Sequence, residues 1–189
     1  MTLIDENAFG LLVAFHDIED AEYSAEREDF VARVRQFQEL ALEYAAASPL
    51  GATLSAIDLG HALYFELADG DHASDPFAWL RALRAALVER EFAVTAVLSH
   101  GGRWVEEDGE DAPLAALPGA ARLLRATRPS EPFRRALYAE AATHGRDGSD
   151  GWGAGLYVDS EAIEALGKAL KNAPTPLEAA GATFYRIGR

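Results

Sequence analysis

The sequence of 189 residues contains no cysteine and no long apolar run. The absence of cysteine excludes disulfide bonds, thiol catalysis and cysteine-ligated zinc sites. No stretch has the roughly 18 consecutive apolar residues that a membrane-spanning helix needs. The N-terminus also lacks the basic flank and apolar core of a signal peptide. We therefore expect a cytoplasmic protein that has no membrane partner.

Positive charge is scarce. The chain has 31 acidic residues against 17 Lys and Arg, which gives a net charge of −14. Nucleic-acid binding depends on clustered Lys and Arg that displace counterions, so no nucleic-acid partner is expected. The only lysines are Lys168 and Lys171. A phosphate-binding site would have to use arginine, backbone N–H groups or a metal ion.

The length and the hydrophobic content of 49% are sufficient for one buried core. We expect a single domain over residues 1–189, with a core at about 8–143 and a C-terminal extension at about 144–189.

The stretch 8–17 combines an apolar strand with a carboxylate at its end. Residues 8–15 show no polar alternation, so other elements should cover both faces of this strand. Ligands often bind at the ends of such strands, and Asp17 lies there. The alternative is that Asp17 caps the following turn or helix.

Periodicity and turn residues predict the element order of a ferredoxin-like fold. The predicted elements are a strand at 8–15, a helix at 24–47, hairpin strands at 52–58 and 62–67, a helix from Asp75 to about residue 90, and a strand at 92–98. Gly101 and Gly102 predict a turn to a further short strand at 103–105. The sequence therefore predicts an α+β fold with a βαββαβ core and two helices on one face.

The C-terminal part predicts further helices and strands. These are a helix at 117–127, a segment at 133–142 for which strand and helix both remain open, a loop at 146–155, a strand at 156–158, a helix capped by Asp159 or Ser160 with Ile163, Leu166 and Leu170 on its apolar side, and a closing strand at 182–187.

Four short motifs in this order resemble the signatures of class III nucleotidyl cyclase catalytic domains. The motifs are Phe15-His16-Asp17-Ile18-Glu19, similar to Phe-x-Asp-Ile-Glu; Gly60-His61-Ala62-Leu63, similar to a Gly-Asp-Ala hairpin; Leu98-Ser99-His100-Gly101-Gly102, similar to Ile-His-Thr-Gly; and Pro118-Gly119-Ala120-Ala121-Arg122-Leu123-Leu124, similar to Val-Asn-x-Ala-Ala-Arg-Leu. The likeness covers residues 9–143. It implies a cyclase-like sheet and a homodimer with its sites at a head-to-tail interface.

In that family, two aspartates hold two metal ions that bind ATP or GTP and activate the ribose hydroxyl. The resemblance implies that Asp17 is the first metal ligand and Arg122 the transition-state arginine. It places Ile18 and Glu19 at nucleotide-binding positions.

Three other positions depart from the family pattern. His61 stands where the family has its second aspartate, and imidazole is a poor ligand for Mg²⁺ although it can bind a transition metal. Ile57 replaces the base-reading lysine and Pro118 replaces the asparagine that orients the ribose. Neither side chain can make the hydrogen bonds that these roles require. His61 has a second interpretation, as a turn-capping or sheet-packing residue.

Three hypotheses follow from these residues. The first is a degenerate cyclase-like domain that acts as a dimeric binding or signalling module without ordinary cyclase activity and without a certain cofactor. The second is a divergent cyclase or other nucleotide-processing enzyme that uses Mn²⁺ or Mg²⁺, with Asp17 and His61 at the metal. The third is a ferredoxin-like structural domain that is unrelated to cyclases.

Overall fold

The computed structural model describes residues 2–15, 27–48, 50, 55–68, 75–105, 130–144, 152–167, 176–179 and 181–188. The elements within these residues are β1 (Thr2–Phe15), α1 (Arg27–Ala47), β2 (Ser55–Asp58), β3 (Ala62–Ala68), α2 (Pro76–Val88), β4 (Val94–Val105), α3 (Glu131–His144), β5 (Leu156–Asp159), α4 (Ser160–Ala165), β6 (Pro176–Ala179) and β7 (Ala182–Arg186).

All the described strands belong to one seven-stranded sheet with the order β2-β3-β1-β4-β5-β7-β6. Neighbouring strands among the first four are antiparallel, and with α1 and α2 these strands form the predicted βαββαβ core. β5 runs parallel to β4, and β7 and β6 extend the sheet in antiparallel pairs. The α+β prediction, a ferredoxin-like core with a C-terminal α/β extension, is confirmed.

Helices cover both faces of β1, as the unbroken apolar pattern predicts. Side chains from Phe9 to Phe15 at odd positions share a buried cluster with α1, α2 and α4. Leu12 and Ala14 point to the second face, where they share a cluster with α3. Burying one such large apolar side chain contributes roughly 1.5–3 kcal/mol, so the two layers fix the position of this strand.

The two helices of the first face pack through their apolar side chains, and the second begins as its sequence predicts. Phe37 and Ala41 of α1 are buried, and Phe30, Val34 and Tyr44 on the same side of the helix are partly buried. Asp75 caps α2, because its Oδ1 accepts hydrogen bonds from Phe77 N at 3.0 Å and Ala78 N at 3.3 Å.

The structure corrects the prediction of a turn at Gly101 and Gly102. β4 continues through both glycines to Val105, because β1 begins at Thr2 and offers a partner along this whole length. The pairing runs from Phe15↔Val94 to Thr2↔Val105, with two register shifts near Asp5.

In the C-terminal part the structure decides two alternatives that the sequence left open, adds one strand and shortens one helix. The segment at 133–142 is helical, within α3, and strand β6 was not predicted. Asp159 is the residue that caps α4, through Ala162 N at 2.7 Å, and this helix ends at Ala165. The predicted helix at 117–127 and Leu170 lie outside the described residues, as do parts of the predicted elements at 24–26, 52–54 and 146–151.

α3 lies close against β1 and β4. Gly10 permits this approach, because a Cβ there would lie 2.5 Å from the hydroxyl oxygen of Tyr64 and 2.9 Å from Pro132 Cβ. At the start of the helix, Ser130 Oγ donates to Glu66 Oε2 of β3 at 2.7 Å. The fold therefore holds α3 in a fixed position over the centre of the sheet.

Candidate functional site

The end of β1 meets the β2–β3 turn (residues 59–61). Phe15 N donates to His61 O at 3.0 Å, and Leu59 N donates to Ala62 O at 2.9 Å. Gly60 has a φ of +83°, a conformation that side-chain-bearing residues rarely adopt. The chain therefore leaves β1 directly beside the turn that carries His61.

A polar contact holds this turn against α1. Asp58 Oδ1 accepts hydrogen bonds from Gly60 N at 2.7 Å and from Gln38 Nε2 at 2.9 Å. Gln38 Nε2 also donates to Gly60 O at 2.6 Å. The carboxylate of Asp58 is thus engaged in shaping the turn.

His61 contacts Glu140 of α3 on the second face. The distance between His61 Nε2 and Glu140 Oε1 is 3.1 Å. The histidine side chain is 40% exposed, whereas the glutamate side chain is only 9% exposed. A nearly buried carboxylate therefore orients an accessible imidazole, and a proton on Nε2 leaves Nδ1 as the acceptor atom of the ring.

A cleft of about 440 Å³ lies between α1 and the turn. Its apolar wall includes Phe30, Val31, Val34 and Leu59, and its polar side chains are Arg35, Gln38 and His61. A cleft with an apolar wall and a few polar groups is typical of a small-molecule site.

The sequence-predicted site residues are only partly within the described structure. Asp17, Ile18, Glu19, Pro118 and Arg122 lie outside it. The convergence of Asp17 with His61 therefore stays a prediction, although the chain two residues before Asp17 is hydrogen-bonded to His61.

Ile57 lies on β2, is half-buried, and packs against the apolar cluster of the second face. Its environment is hydrophobic, as expected for a side chain without polar atoms.

The described residues do not contain a group of three His, Asp or Glu side chains that could hold a metal ion. His61 offers a nitrogen where the resemblance implies a carboxylate, and Mg²⁺ prefers oxygen ligands. On its chemistry, this part of the site does not fit Mg²⁺.

A second charged cluster lies toward the opposite end of α3. Arg135 Nη1 is 2.7 Å from Glu161 Oε2 and 3.7 Å from Asp159 Oδ2, and Arg135 Nη2 pairs with Glu131. Asp159 is fully buried and accepts a hydrogen bond from His100 N at 3.1 Å. Burial raises the pKa of Asp159 to about 7. The backbone N–H donors and Arg135 act in the opposite direction, but their effect is smaller. This cluster joins α3 to β5 and α4.

Glu140 is the functional-site residue that the sequence analysis missed. It lies in the segment whose helix and strand interpretations both remained open. The run Ala139-Glu140-Ala141-Ala142 could have indicated its role, because Glu140 is a carboxylate among small, apolar residues. A carboxylate that is buried in such a segment needs a polar partner.

No known family and no curated protein matches the sequence significantly. Solved structures do match. A guanylyl cyclase crystal structure matches with a TM-score of 0.62 at 10% identity, over 98% of this chain and 93% of the other. The adenylyl cyclase CyaB from P. aeruginosa matches with a TM-score of 0.54 at 11% identity, over 100% and 97% of the two chains. The chain has the fold of a nucleotidyl cyclase domain.

The cyclase fold extends over the described core and its C-terminal extension. The guanylate cyclase domain of RhGC from Catenaria anguillulae, solved in complex with GTP, also matches, with a TM-score of 0.52 at 10% identity over 97% of both chains. At these identities the likeness concerns the fold alone. Among the described helices, none combines the length and apolar character needed to cross a membrane.

Proposed function

We propose that this chain is a nucleotidyl-cyclase-like domain that lacks ordinary cyclase activity and acts as a dimeric binding or signalling module. The observation that carries the proposal is the environment of His61. Its imidazole occupies the turn where the motif resemblance implies a metal-binding aspartate, and its Nε2 is already bonded to Glu140. A turn that offers an engaged imidazole in place of a carboxylate is a poor site for Mg²⁺.

Ile57 supports the same proposal. The resemblance implies a base-reading lysine at this position, which would donate hydrogen bonds to a purine. Ile57 has no donor, and it packs against the apolar cluster of the second face. The Ile57 side chain therefore cannot perform base recognition of the family's kind.

The binding role rests on the cleft between α1 and the turn. The cleft places Arg35 and His61 beside an apolar wall, which suits a small molecule that carries both a polar and an apolar part. The proposal of a homodimer rests on the motif resemblance, because members of that family form their sites at a head-to-tail dimer interface.

One observation favours a second candidate, the divergent Mn²⁺-dependent cyclase or nucleotide-processing enzyme. Histidines that bind metals commonly direct their other ring nitrogen to a carboxylate, and Glu140 supplies such a partner. In this candidate Asp17 and His61 would hold the ion and Arg122 would face the transition state. Asp17→Ala and Arg122→Ala should then each abolish turnover.

Thermal unfolding and sedimentation test the binding and dimer parts of the proposal. A ligand that binds the native state raises Tm, so ATP and GTP are added with and without Mn²⁺. The proposal predicts a dimer, and any nucleotide stabilisation should not require Mn²⁺. Stabilisation that requires Mn²⁺ and disappears in His61→Ala would favour the enzyme, and a strictly monomeric protein would contradict the dimeric module.

A further inference from the structure

Two arginine side chains lie near each other at one end of the sheet, and no described carboxylate pairs with either of them. Arg84 of α2 donates from Nε to Val94 O at 3.4 Å, at the start of β4. Arg186, at the end of β7, donates from Nη2 to Ala154 O at 2.8 Å. With the rest of the described chain, neither guanidinium makes another hydrogen bond or an ion pair. This is notable in a protein whose acidic residues outnumber its basic ones by 31 to 17.

The backbone brings the two arginines to one place. Gly155 N donates to Val94 O at 3.1 Å, so the residue before β5 pairs with the residue that accepts from Arg84. A Cβ on Gly155 would lie 2.9 Å from Arg186 Nε. The glycine therefore leaves the space in which the Arg186 guanidinium lies against this backbone.

The electrostatics agree with this placement. Burial and then the charge of Arg186 lower the pKa of Arg84. Burial raises the pKa of Tyr157, while Arg186 and Arg84 both act to lower it. The Tyr157 hydroxyl, which donates to Gly153 O at 2.5 Å, is therefore under the influence of both cations.

The described residues do not satisfy the hydrogen-bonding and charge requirements of this pair. The two like charges repel each other, and both guanidinium groups are partly buried, which strengthens the repulsion. Arg186 Nε is buried and has no hydrogen-bond partner in the described structure. Buried polar atoms without partners are rare in native proteins and call for an explanation.

We propose that Arg84 and Arg186 form a binding site for a phosphate-type oxyanion. A doubly charged anion would neutralise both cations at once, and the guanidinium group binds phosphate oxygens through directed, charge-assisted hydrogen bonds. Because the chain has only two lysines, arginine side chains supply most of its positive charge for such a site. The site lies at β4, β5 and β7, and it goes beyond the proposed function and does not depend on it.

Titration with inorganic phosphate at constant ionic strength tests this site by calorimetry and by the shift in Tm. Wild-type protein should show saturable binding. Arg84→Gln and Arg186→Gln should each weaken it by roughly tenfold or more, the effect of losing a hydrogen bond to a charged group. Arg81→Gln removes an exposed arginine from the same helix and should leave binding unchanged.

Absence of saturable phosphate binding, or binding that survives both substitutions at Arg84 and Arg186, would overturn the proposal. If either variant fails to fold, the arginine Nε–H signals of the wild-type protein provide the readout. Phosphate should shift the signals of Arg84 and Arg186, and a shift confined to other arginines would overturn it. Titration with AMP identifies the source of the phosphate group, since tighter binding than that of phosphate indicates a nucleotide and equal binding indicates free phosphate.

Discussion

His61 Nε2 and Glu140 Oε1 lie 3.1 Å apart, although 79 positions separate the two residues in the chain. The contact joins the β2–β3 turn to α3 and thus links the end of β1 to the helix on the second face of the sheet. The carboxylate is nearly buried, and the imidazole that it contacts lines the cleft.

A double-mutant cycle measures this contact. We expect His61→Ala and Glu140→Ala each to lower the free energy of unfolding and to show a coupling energy of about 1 kcal/mol, the value of a typical hydrogen bond. Urea unfolding supplies the four free energies. The control is a cycle of His61→Ala with Glu164→Ala on α4, an exposed residue for which we expect additivity. Additive effects of His61→Ala and Glu140→Ala would show that the contact contributes nothing.

The sequence predicted the β2–β3 hairpin and the position of His61 in its turn because local signals determine both. Alternating strands flank Gly60, and the glycine supplies the positive φ of the turn. Glu140 could not be predicted as its partner, because Ala136 and Ala139 give α3 a weak apolar stripe that also fits a strand. Its contact with His61 depends on where that helix packs.

The misplaced turn at Gly101 and Gly102 has a tertiary cause. Two consecutive glycines favour a turn when a strand has no partner beyond them. Here β1 begins at Thr2 and supplies backbone partners as far as Val105, so that pairing outweighs the local preference. The Arg84 and Arg186 pair was likewise not predictable, because it depends on the placement of β5 and β7 beside β4.

Gly10→Ala tests how closely α3 approaches the sheet. The new Cβ would lie 2.5 Å from the Tyr64 hydroxyl oxygen and 2.9 Å from Pro132 Cβ, so α3 or Tyr64 must move. We expect the free energy of unfolding to fall by roughly 1–3 kcal/mol, the usual cost of overpacking. Gly101→Ala is the comparison, because its Cβ would lie 3.1 Å from Glu131 Cβ and Oε2, a smaller conflict that should cost less stability. Equal losses in the two variants would contradict the close packing at Gly10.

The buried carboxyl of Asp159 should make stability depend on pH. Its pKa is raised from the ordinary value of 3.8 to about 7 in the folded protein, so the folded state holds the proton more tightly than the unfolded state. The contribution of Asp159 is therefore fully present below the unfolded pKa and is lost as the pH rises toward the folded pKa. Between about pH 5 and pH 7 the loss should reach about 2 kcal/mol.

Asp159→Asn provides the control for that measurement, because asparagine also caps helices but does not titrate. Urea unfolding at several pH values gives the difference in stability between wild type and variant. That difference should change with pH in the direction stated, and a constant difference would show that Asp159 does not titrate in this range.

Glu91 is a non-glycine residue with a φ of +63°, at the end of α2. The hydrogen bond from Phe92 N to Leu87 O, at 3.2 Å, closes the turn that contains Glu91. At helix ends of this type, glycine usually occupies the position with positive φ. Arg33 contacts Glu91 only through the carbonyl oxygen, at 2.7 Å, which glycine retains. We expect Glu91→Gly to raise the free energy of unfolding by about 0.5–1 kcal/mol.

Glu89→Gly is the matched control for Glu91→Gly. Glu89 has a φ of −61°, which any residue adopts, so glycine there should lower stability through its greater freedom in the unfolded chain. Thermal unfolding of both variants should give shifts in Tm of opposite sign. A decrease in both would contradict the strain assigned to Glu91.

Formation of cyclic AMP or cyclic GMP by the purified protein, from ATP or GTP with either Mg²⁺ or Mn²⁺, tests the loss of ordinary cyclase activity most directly. The matched control is Asp17→Ala, which removes the carboxylate that the family motif implies as a metal ligand. We predict that the wild-type protein forms no more cyclic nucleotide than this variant. Product formation by the wild type that Asp17→Ala abolishes would contradict the proposed function.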